Sequence, residues 1–193
     1  QQDLAEAFAS LPLAFAAAIG MIYIILACLF SSFTQPLVVM MAIPFAIIGV
    51  VWGHYFMGFQ LTFLSLIGFV ALTGVVVNNS LILIEFFNHK RSKEGGGLSL
   101  REALAQAGRD RLRPIVLTSI TTFFGLMPLV FEQSFQAKFL IPMAIAISYG
   151  LVSSTVLTLA VLPCFMVILD DIKGAAHYLW YGLPGSSAEV RSA

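Results

Sequence analysis

The chain has 193 residues, of which 59% are hydrophobic and 10% are charged, and its formal net charge at pH 7 is zero. Soluble domains carry roughly 25% charged residues, so this composition excludes an ordinary soluble enzyme, and the charge balance indicates no nucleic-acid partner. The apolar residues form long runs, which are typical of membrane-spanning helices. The sequence therefore predicts an all-α membrane protein that contains a bundle of about five transmembrane helices.

Two apolar spans lie in the first part of the chain. Residues 1–10 contain two acidic and no basic side chains, and we expect them to form a lead-in on the external side of the membrane. The first span covers residues 11–30 and the second covers residues 37–57. Pro44 is expected to kink the second span because proline has no N–H to donate. Gly49 and Gly53 form a GxxxG pattern, which permits another helix to approach closely.

The third span covers residues 61–87 and is followed by a polar loop. This loop, residues 88–113, holds seven of the ten basic residues of the chain. Basic loops remain in the cytoplasm, which places the N-terminus outside and the C-terminus inside. Ser99 and Glu102 have the spacing of a capping box. They predict a short cytoplasmic amphipathic helix that lies on the membrane face and ends at Gly108.

Two further spans follow the loop. The fourth covers residues 114–131, beginning at Pro114, and the fifth covers residues 139–169. The membrane domain is thus expected over residues 11–174, with a mobile tail at residues 175–193. The chain begins with Gln1 and has no recognisable signal peptide. An external N-terminus without an export signal is unusual, so we expect further sequence to precede Gln1.

Polar side chains inside the spans are costly and therefore indicate either function or helix packing. Asn78 and Asn79 are neighbours in the third span, so one of them should point into the bundle. Their amides can join helices through hydrogen bonds. Alternatively, they belong to a polar relay that carries protons or water.

Arg111 and Thr118 lie seven residues apart, which places them on one helix face if the fourth span extends back through Pro114. Arg111 is either a solvated anchor at the cytoplasmic surface or a guanidinium that enters an aqueous crevice and holds a carboxylate. Thr118 can instead donate to a carbonyl of its own helix four residues earlier. Thr122 is a possible supporting polar residue one turn later.

Other polar residues have simpler interpretations. His54 lies beside aromatic residues and is expected to belong to an interfacial aromatic belt. Glu85 is expected to form an interfacial ion pair with Lys90 or Arg113. The chain has no nucleotide-binding, hydrolase or zinc-site sequence motif, so we expect no enzyme activity, metal site or cofactor. Any transport must then be driven by an ion gradient or by another subunit.

Three segments resemble one protein family closely. They read FTQPLVVMMAIPFAIIGVVWG, LSLIGFVALTGVVVNNSLILIEFFN and REALAQAGRDRLRPIVLTSITTFFGLMPLV. These segments are similar to the RND superfamily of exporters, in its hydrophobe/amphiphile efflux branch, and the resemblance covers residues 7–172. The RLRPIVLT run at residues 111–118, followed by GLMPL at residues 125–129, is its most specific part.

The resemblance implies an RND-type membrane domain, namely the last five helices of a secondary transporter that exports amphiphilic small molecules in exchange for protons. It also implies a proton relay in which Arg111 and Thr118 work with aspartates of an N-terminal half that this chain does not contain. Multidrug members of the family carry a lysine where this chain has Asn78. The implied partners are that N-terminal half, further copies in a homotrimer, a periplasmic adaptor and an outer-membrane channel, and the implied location is the bacterial inner membrane.

Two other functions are compatible with the sequence. In a non-transporting membrane scaffold, Asn78 and the glycine faces would serve helix packing alone. In an ion or water channel, rings of charged side chains usually line the pore, and the spans of this chain offer no such residues.

Overall fold

The computed structural model describes residues 2–92 and 99–181, and these residues fold into a helical bundle. Its elements are α1 (Gln2–Phe30), α2 (Thr34–Met40), α3 (Ala42–Met57), α4 (Phe63–Arg91), α5 (Leu100–Val130), a 3-10 turn (Ala137–Phe139) and α6 (Ile141–Tyr181). With α2 and α3 counted as one span, five segments are long and apolar enough to cross a membrane. The predicted all-α fold class is therefore confirmed.

The second span is interrupted where proline weakens it. Pro44 cannot donate to the carbonyl of Met40, and its ring crowds that carbonyl. Met41 accordingly separates α2 from α3, so the span is interrupted within one turn before Pro44, and a bend at Pro44 stays a prediction. The backbone N–H of Met41 still donates to the Leu37 carbonyl over 3.0 Å, which closes the last turn of α2.

Glycines allow α3 to lie directly against α6. A Cβ at Gly53 would lie 2.5 Å from the Cβ of Tyr149, and one at Gly49 would lie 2.9 Å from the Cα of Gly150. Ser153 of α6 also donates to the Phe45 carbonyl over 3.2 Å. The close helix contact that the GxxxG pattern predicts is therefore confirmed.

The predicted short amphipathic helix is not a separate element. Ser99 and Glu102 do form the capping box, but the helix passes Gly108 and Pro114 and continues to Val130. The reason is packing, because the apolar stripe of this segment is buried in the bundle core instead of resting on the membrane face. Ala103 and Ala107 belong to the same core cluster as residues of α4 and α6.

The ends of the bundle also extend beyond their predicted limits. Helix α1 begins at Gln2, so the lead-in is helical and continuous with the first span. Helix α6 continues to Tyr181, past the predicted end of the membrane domain at residue 174. The rest of the predicted tail, residues 182–193, and the glycine-rich break at residues 95–97 lie outside the described residues.

Helix α6 is the centre of the bundle and packs against α3, α4 and α5. Helix α1 lies at the edge of the bundle, and only 6% of its most apolar stretch, within Ser10–Phe30, is buried. Large exposed side chains of α1, among them Met21, Ile24 and Leu29, present a surface suited to lipid.

Candidate functional site

Helices α4 and α5 each leave one face without packing partners among the described residues. We define the outer face as the exposed residues Ile67, Ala71, Gly74, Asn78 and Glu85 of α4 and Thr118, Thr121 and Gly125 of α5. A Cβ built on Gly74 or on Gly125 would meet nothing within 4 Å. The outer face therefore has room for another helix at its glycines, Gly74 and Gly125.

Arg111 lies beside the outer face, in the N-terminal part of α5. Its side chain is partly buried, and its guanidinium carbon is 3.6 Å from the centre of the Phe86 ring. Its Nε is buried and has no hydrogen-bond partner among the described residues. A cation over an aromatic ring gains about 0.5–2 kcal/mol, so Arg111 is held in place while a donor remains unsatisfied.

Thr118 shares a helix face with Arg111, because the two lie nearly two turns apart on the continuous helix α5. The Thr118 side chain is exposed, and its hydroxyl donates to the Pro114 carbonyl over 2.9 Å. This is the backbone hydrogen bond that the simpler interpretation describes. The hydroxyl oxygen can still accept a hydrogen bond from a group that docks on the outer face.

Asn78 and Asn79 point in different directions. Asn78 is exposed on the outer face, whereas Asn79 is partly buried and lines a small pocket between α4, α5 and α6. No side-chain hydrogen bond joins either amide to another described residue. Thr122 on α5 is partly buried and likewise has no side-chain hydrogen bond within the described ranges.

A polar seam, which we define as Ser119, Thr155 and Thr158, lies behind the outer face. The hydroxyl oxygens of Ser119 and Thr155 are 2.7 Å apart and join α5 to α6. The sequence pattern alone predicts no role for these residues. Ser119 follows Thr118 directly, and Thr155 and Thr158 are one turn apart on α6, so helix periodicity is the signal that could have grouped them.

His54 differs from its expected role. It is 3% exposed, so it does not belong to the aromatic belt, although the neighbouring rings of Trp52, Tyr55 and Phe56 do pack together at the surface. Its Nδ1 lies 2.8 Å from the Val50 carbonyl. A carbonyl can only accept, so Nδ1 carries the proton, and in the neutral ring Nε2 accepts from the Ser65 hydroxyl over 2.8 Å.

Two contacts connect the end of α4 to the start of α2 and to the N-terminal part of α5. Gln35 of α2 and Asn88 of α4 exchange amide hydrogen bonds of 3.1 and 2.9 Å. Lys90 forms an ion pair with Asp110 of α5 over 3.3 Å, whereas Glu85 is exposed. Among the described residues Glu85 pairs with neither Lys90 nor Arg113, so the expected ion pair is wrong. The approach of α5 brings a different carboxylate, that of Asp110, to the Lys90 ammonium.

No group of three or more His, Cys, Asp and Glu side chains within residues 2–92 and 99–181 is arranged to hold a metal ion. An apolar groove of about 360 Å³ lies between α5 and α6 and is larger than the small pocket beside Asn79. Ser119 and Thr155 form part of its wall, so the hydroxyl pair of the polar seam separates this groove from the small pocket.

Comparison with known proteins decides the family. The model of the AcrB/AcrD/AcrF family matches residues 1–170. The chain belongs to this family. The resemblance to RND-superfamily transporters is thereby confirmed, and the five apolar helices are those of a multi-pass membrane protein of that superfamily.

Individual relatives agree with the family assignment. The chain is 38% identical over 175 residues to the swarming motility protein SwrC of Bacillus subtilis (strain 168), covering 89% of this chain and 16% of that protein. It is 32% identical over 157 residues to the multidrug resistance protein MdtC of Yersinia pseudotuberculosis serotype O:1b (strain IP 31758), covering 81% of this chain and 15% of that protein. The chain thus spans about a sixth of the length of these relatives.

Solved structures give the same result for the fold. A crystal structure of a heavy metal efflux pump (crystal form II) superposes with a TM-score of 0.77 at 28% identity, over 88% of this chain and 16% of that pump. A second crystal form of a heavy metal efflux pump gives a TM-score of 0.74 at 26% identity.

Proposed function

We propose that this chain is the part of a proton-motive-force-driven RND exporter that contributes Arg111, Thr118 and Asn78 to the proton relay. Protonation and release of carboxylates on a facing helix would change their pairing with Arg111. The resulting helix movements would drive efflux by the rest of the transporter. Family membership supports transport as the activity, and the surroundings of Arg111 support its place in the coupling.

The single observation that carries this proposal is the buried Nε of Arg111, which has no hydrogen-bond partner among the described residues. A buried donor without an acceptor costs about 1–3 kcal/mol, and more when the group is charged. An aspartate that docks on the outer face would satisfy Nε and neutralise the charge in one step. Protonation of that aspartate would weaken the pair and leave Arg111 on the Phe86 ring, which gives two alternative states.

The outer face supports the presence of a docking partner in the membrane. Gly74 and Gly125 provide open space on it, and Asn78 and Thr118 provide polar groups. Exposed amides and hydroxyls are unfavourable against acyl chains, so a protein surface is the better occupant. We propose that the aspartate-bearing helix of the N-terminal half of the same transporter packs here.

The experiment measures dye efflux from energised cells that express the full-length transporter. Arg111→Ala should abolish efflux, whereas Arg109→Ala, an exposed residue of the same helix, should leave most of it intact. The two variants remove the same charge, so an effect on membrane insertion would appear in both. Undiminished efflux by Arg111→Ala at equal membrane abundance would remove Arg111 from the mechanism.

The proposed substrates are amphiphilic small molecules. The apolar surface of α1 faces the bilayer and would border the path by which amphiphiles leave it. The relatives bear different names, one for multidrug resistance and one for heavy metal efflux, so the substrate class needs a direct comparison. Expression of the full transporter should raise tolerance to amphiphilic dyes, and raised tolerance to metal salts alone would favour the second class.

The proposed assembly is a homotrimer in the bacterial inner membrane that works with a periplasmic adaptor and an outer-membrane channel. The basic loop supports a cytoplasmic position for the C-terminus. A reporter that is active only in the cytoplasm, fused after the last residue, should be active. Activity of a periplasm-specific reporter at that position would reverse the topology.

A further inference from the structure

The small pocket at the junction of α4, α5 and α6 has the size of one water molecule. Its volume is about 10 Å³, close to the lower limit for holding one water. Asn79 lines it from α4, and Thr155 and Thr158 line it from α6. Each of these side chains carries a polar group, and no ionised side chain lines the pocket.

Thr158 has an unsatisfied hydroxyl in this pocket. The residue is 6% exposed, and its Oγ1 has no hydrogen-bond partner among the described residues. Threonines within helices commonly donate to a carbonyl of the preceding turn. Thr158 does not, so its donor and its acceptor are both available to a molecule in the pocket.

The hydroxyl pair beside Thr158 leaves a defined acceptor. Ser119 has one hydroxyl proton and donates it to the Ile115 carbonyl over 2.9 Å. The Thr155 hydroxyl must therefore be the donor in the 2.7 Å contact with Ser119. This leaves a lone pair of Thr155 Oγ1 free to accept.

We propose that the pocket binds one water molecule, which joins Thr158 of α6 to Asn79 of α4. The water can accept a hydrogen bond from the Thr158 hydroxyl and donate to Thr155 Oγ1 and to the side-chain amide oxygen of Asn79. These are three partners, the usual number for a buried water. The size of the pocket excludes a larger ligand, and the lack of a lining charge favours a neutral one. The water thus links α4 to α6 behind the outer face, independently of the proposed proton relay, and the hydrogen bond between Ser119 and Thr155 joins α6 to α5.

Substitution of Thr158 gives a test in which the sign of the effect decides. Thr158→Val keeps the shape of the side chain and removes the hydroxyl. If a water is bound, the change leaves buried polar groups without a partner, and the melting temperature of the native polypeptide in detergent should fall. Thr158→Ser keeps the hydroxyl, so its melting temperature should fall less than that of Thr158→Val. An unchanged or higher melting temperature for Thr158→Val would mean that the hydroxyl has no ligand, which overturns the proposal.

A double-mutant cycle tests whether Asn79 shares the ligand. Asn79→Leu should also lower the melting temperature, and Thr158→Val should then have little further effect, because the bridge is already lost. Equal effects of Thr158→Val in both backgrounds would sink the bridge. A map of the native polypeptide that resolves ordered waters should contain a peak within about 3.2 Å of Thr158 Oγ1 and of the Asn79 amide. A map of that quality without this peak also overturns the proposal.

Discussion

Gly53→Ala is the substitution that tests the packing of α3 against α6 most directly. The added Cβ would lie 2.5 Å from the Cβ and 2.6 Å from the Cγ of Tyr149. Carbon atoms pack best at about 3.5–4.0 Å, so the two helices must separate by about 1 Å. Tyr149 cannot relieve the contact by changing rotamer, because its Cβ is fixed to the backbone of α6.

The size of the effect follows from two opposing terms. Overpacking a tight interface costs about 1–3 kcal/mol, whereas alanine is favoured over glycine inside a helix by up to about 1 kcal/mol. The net expectation for Gly53→Ala is a loss of up to about 2 kcal/mol. Gly108→Ala is the matched control, since a Cβ there meets nothing within 4 Å, and it should be neutral or stabilising.

The assay is thermal unfolding of the native polypeptide in detergent, followed by intrinsic fluorescence. Gly53→Ala should melt below the parent protein, and Gly108→Ala should melt at the same temperature or above it. If Gly53→Ala matched Gly108→Ala, the close approach of α3 and α6 would be refuted, because the clash would then be absent.

Three further predictions concern single contacts. Phe86→Leu removes the ring beneath the guanidinium and should lower efflux by the full-length transporter, whereas Phe86→Tyr should retain it; equal efflux by both variants would contradict a role for the ring. Ser65→Ala removes the hydroxyl bonded to the buried imidazole and should cost about 1–3 kcal/mol of stability, measured by thermal unfolding, where an unchanged transition would contradict that bond. Gln35→Leu and Asn88→Leu should show a coupling of about 0.6 kcal/mol, and at most about 1.7 kcal/mol, in a double-mutant cycle, so strictly additive losses would mean that the two amides do not bond.

Hydropathy and glycine pattern were sufficient for the fold. The spans follow from apolar runs, the interruption at Met41 follows from Pro44, and the contact of α3 with α6 follows from Gly49 and Gly53. The prediction of a short surface helix before Pro114 is wrong because the apolar stripe of this segment can pack against a membrane surface or a neighbouring helix equally well. The presence of α4 and α6 decides between them, and a local pattern carries no information about that neighbour.

The candidate site was less accessible to sequence reasoning. Polarity and helix spacing single out Arg111, Thr118 and Asn78 in the sequence, the family resemblance supplies their role in a relay, and that role stays a prediction. The sequence does not predict the polar seam, because Ser119 and Thr158 resemble any other hydroxyl residue in an apolar helix. The predicted position of His54 in an aromatic belt is wrong because its buried partner, Ser65, lies on a different helix. A local sequence pattern carries no information about that partner.

The continuity of α5 has a mechanical consequence. A helix rises about 1.5 Å per residue, so Val130 lies about 29 Å along the axis from Arg111. If α5 pivoted by about 5° near Arg111, its C-terminal end would travel about 2.5 Å, and its N-terminal end would swing the opposite way. A continuous helix therefore converts a small tilt about Arg111 into an ångström-scale displacement of its other end, at the opposite side of the bilayer.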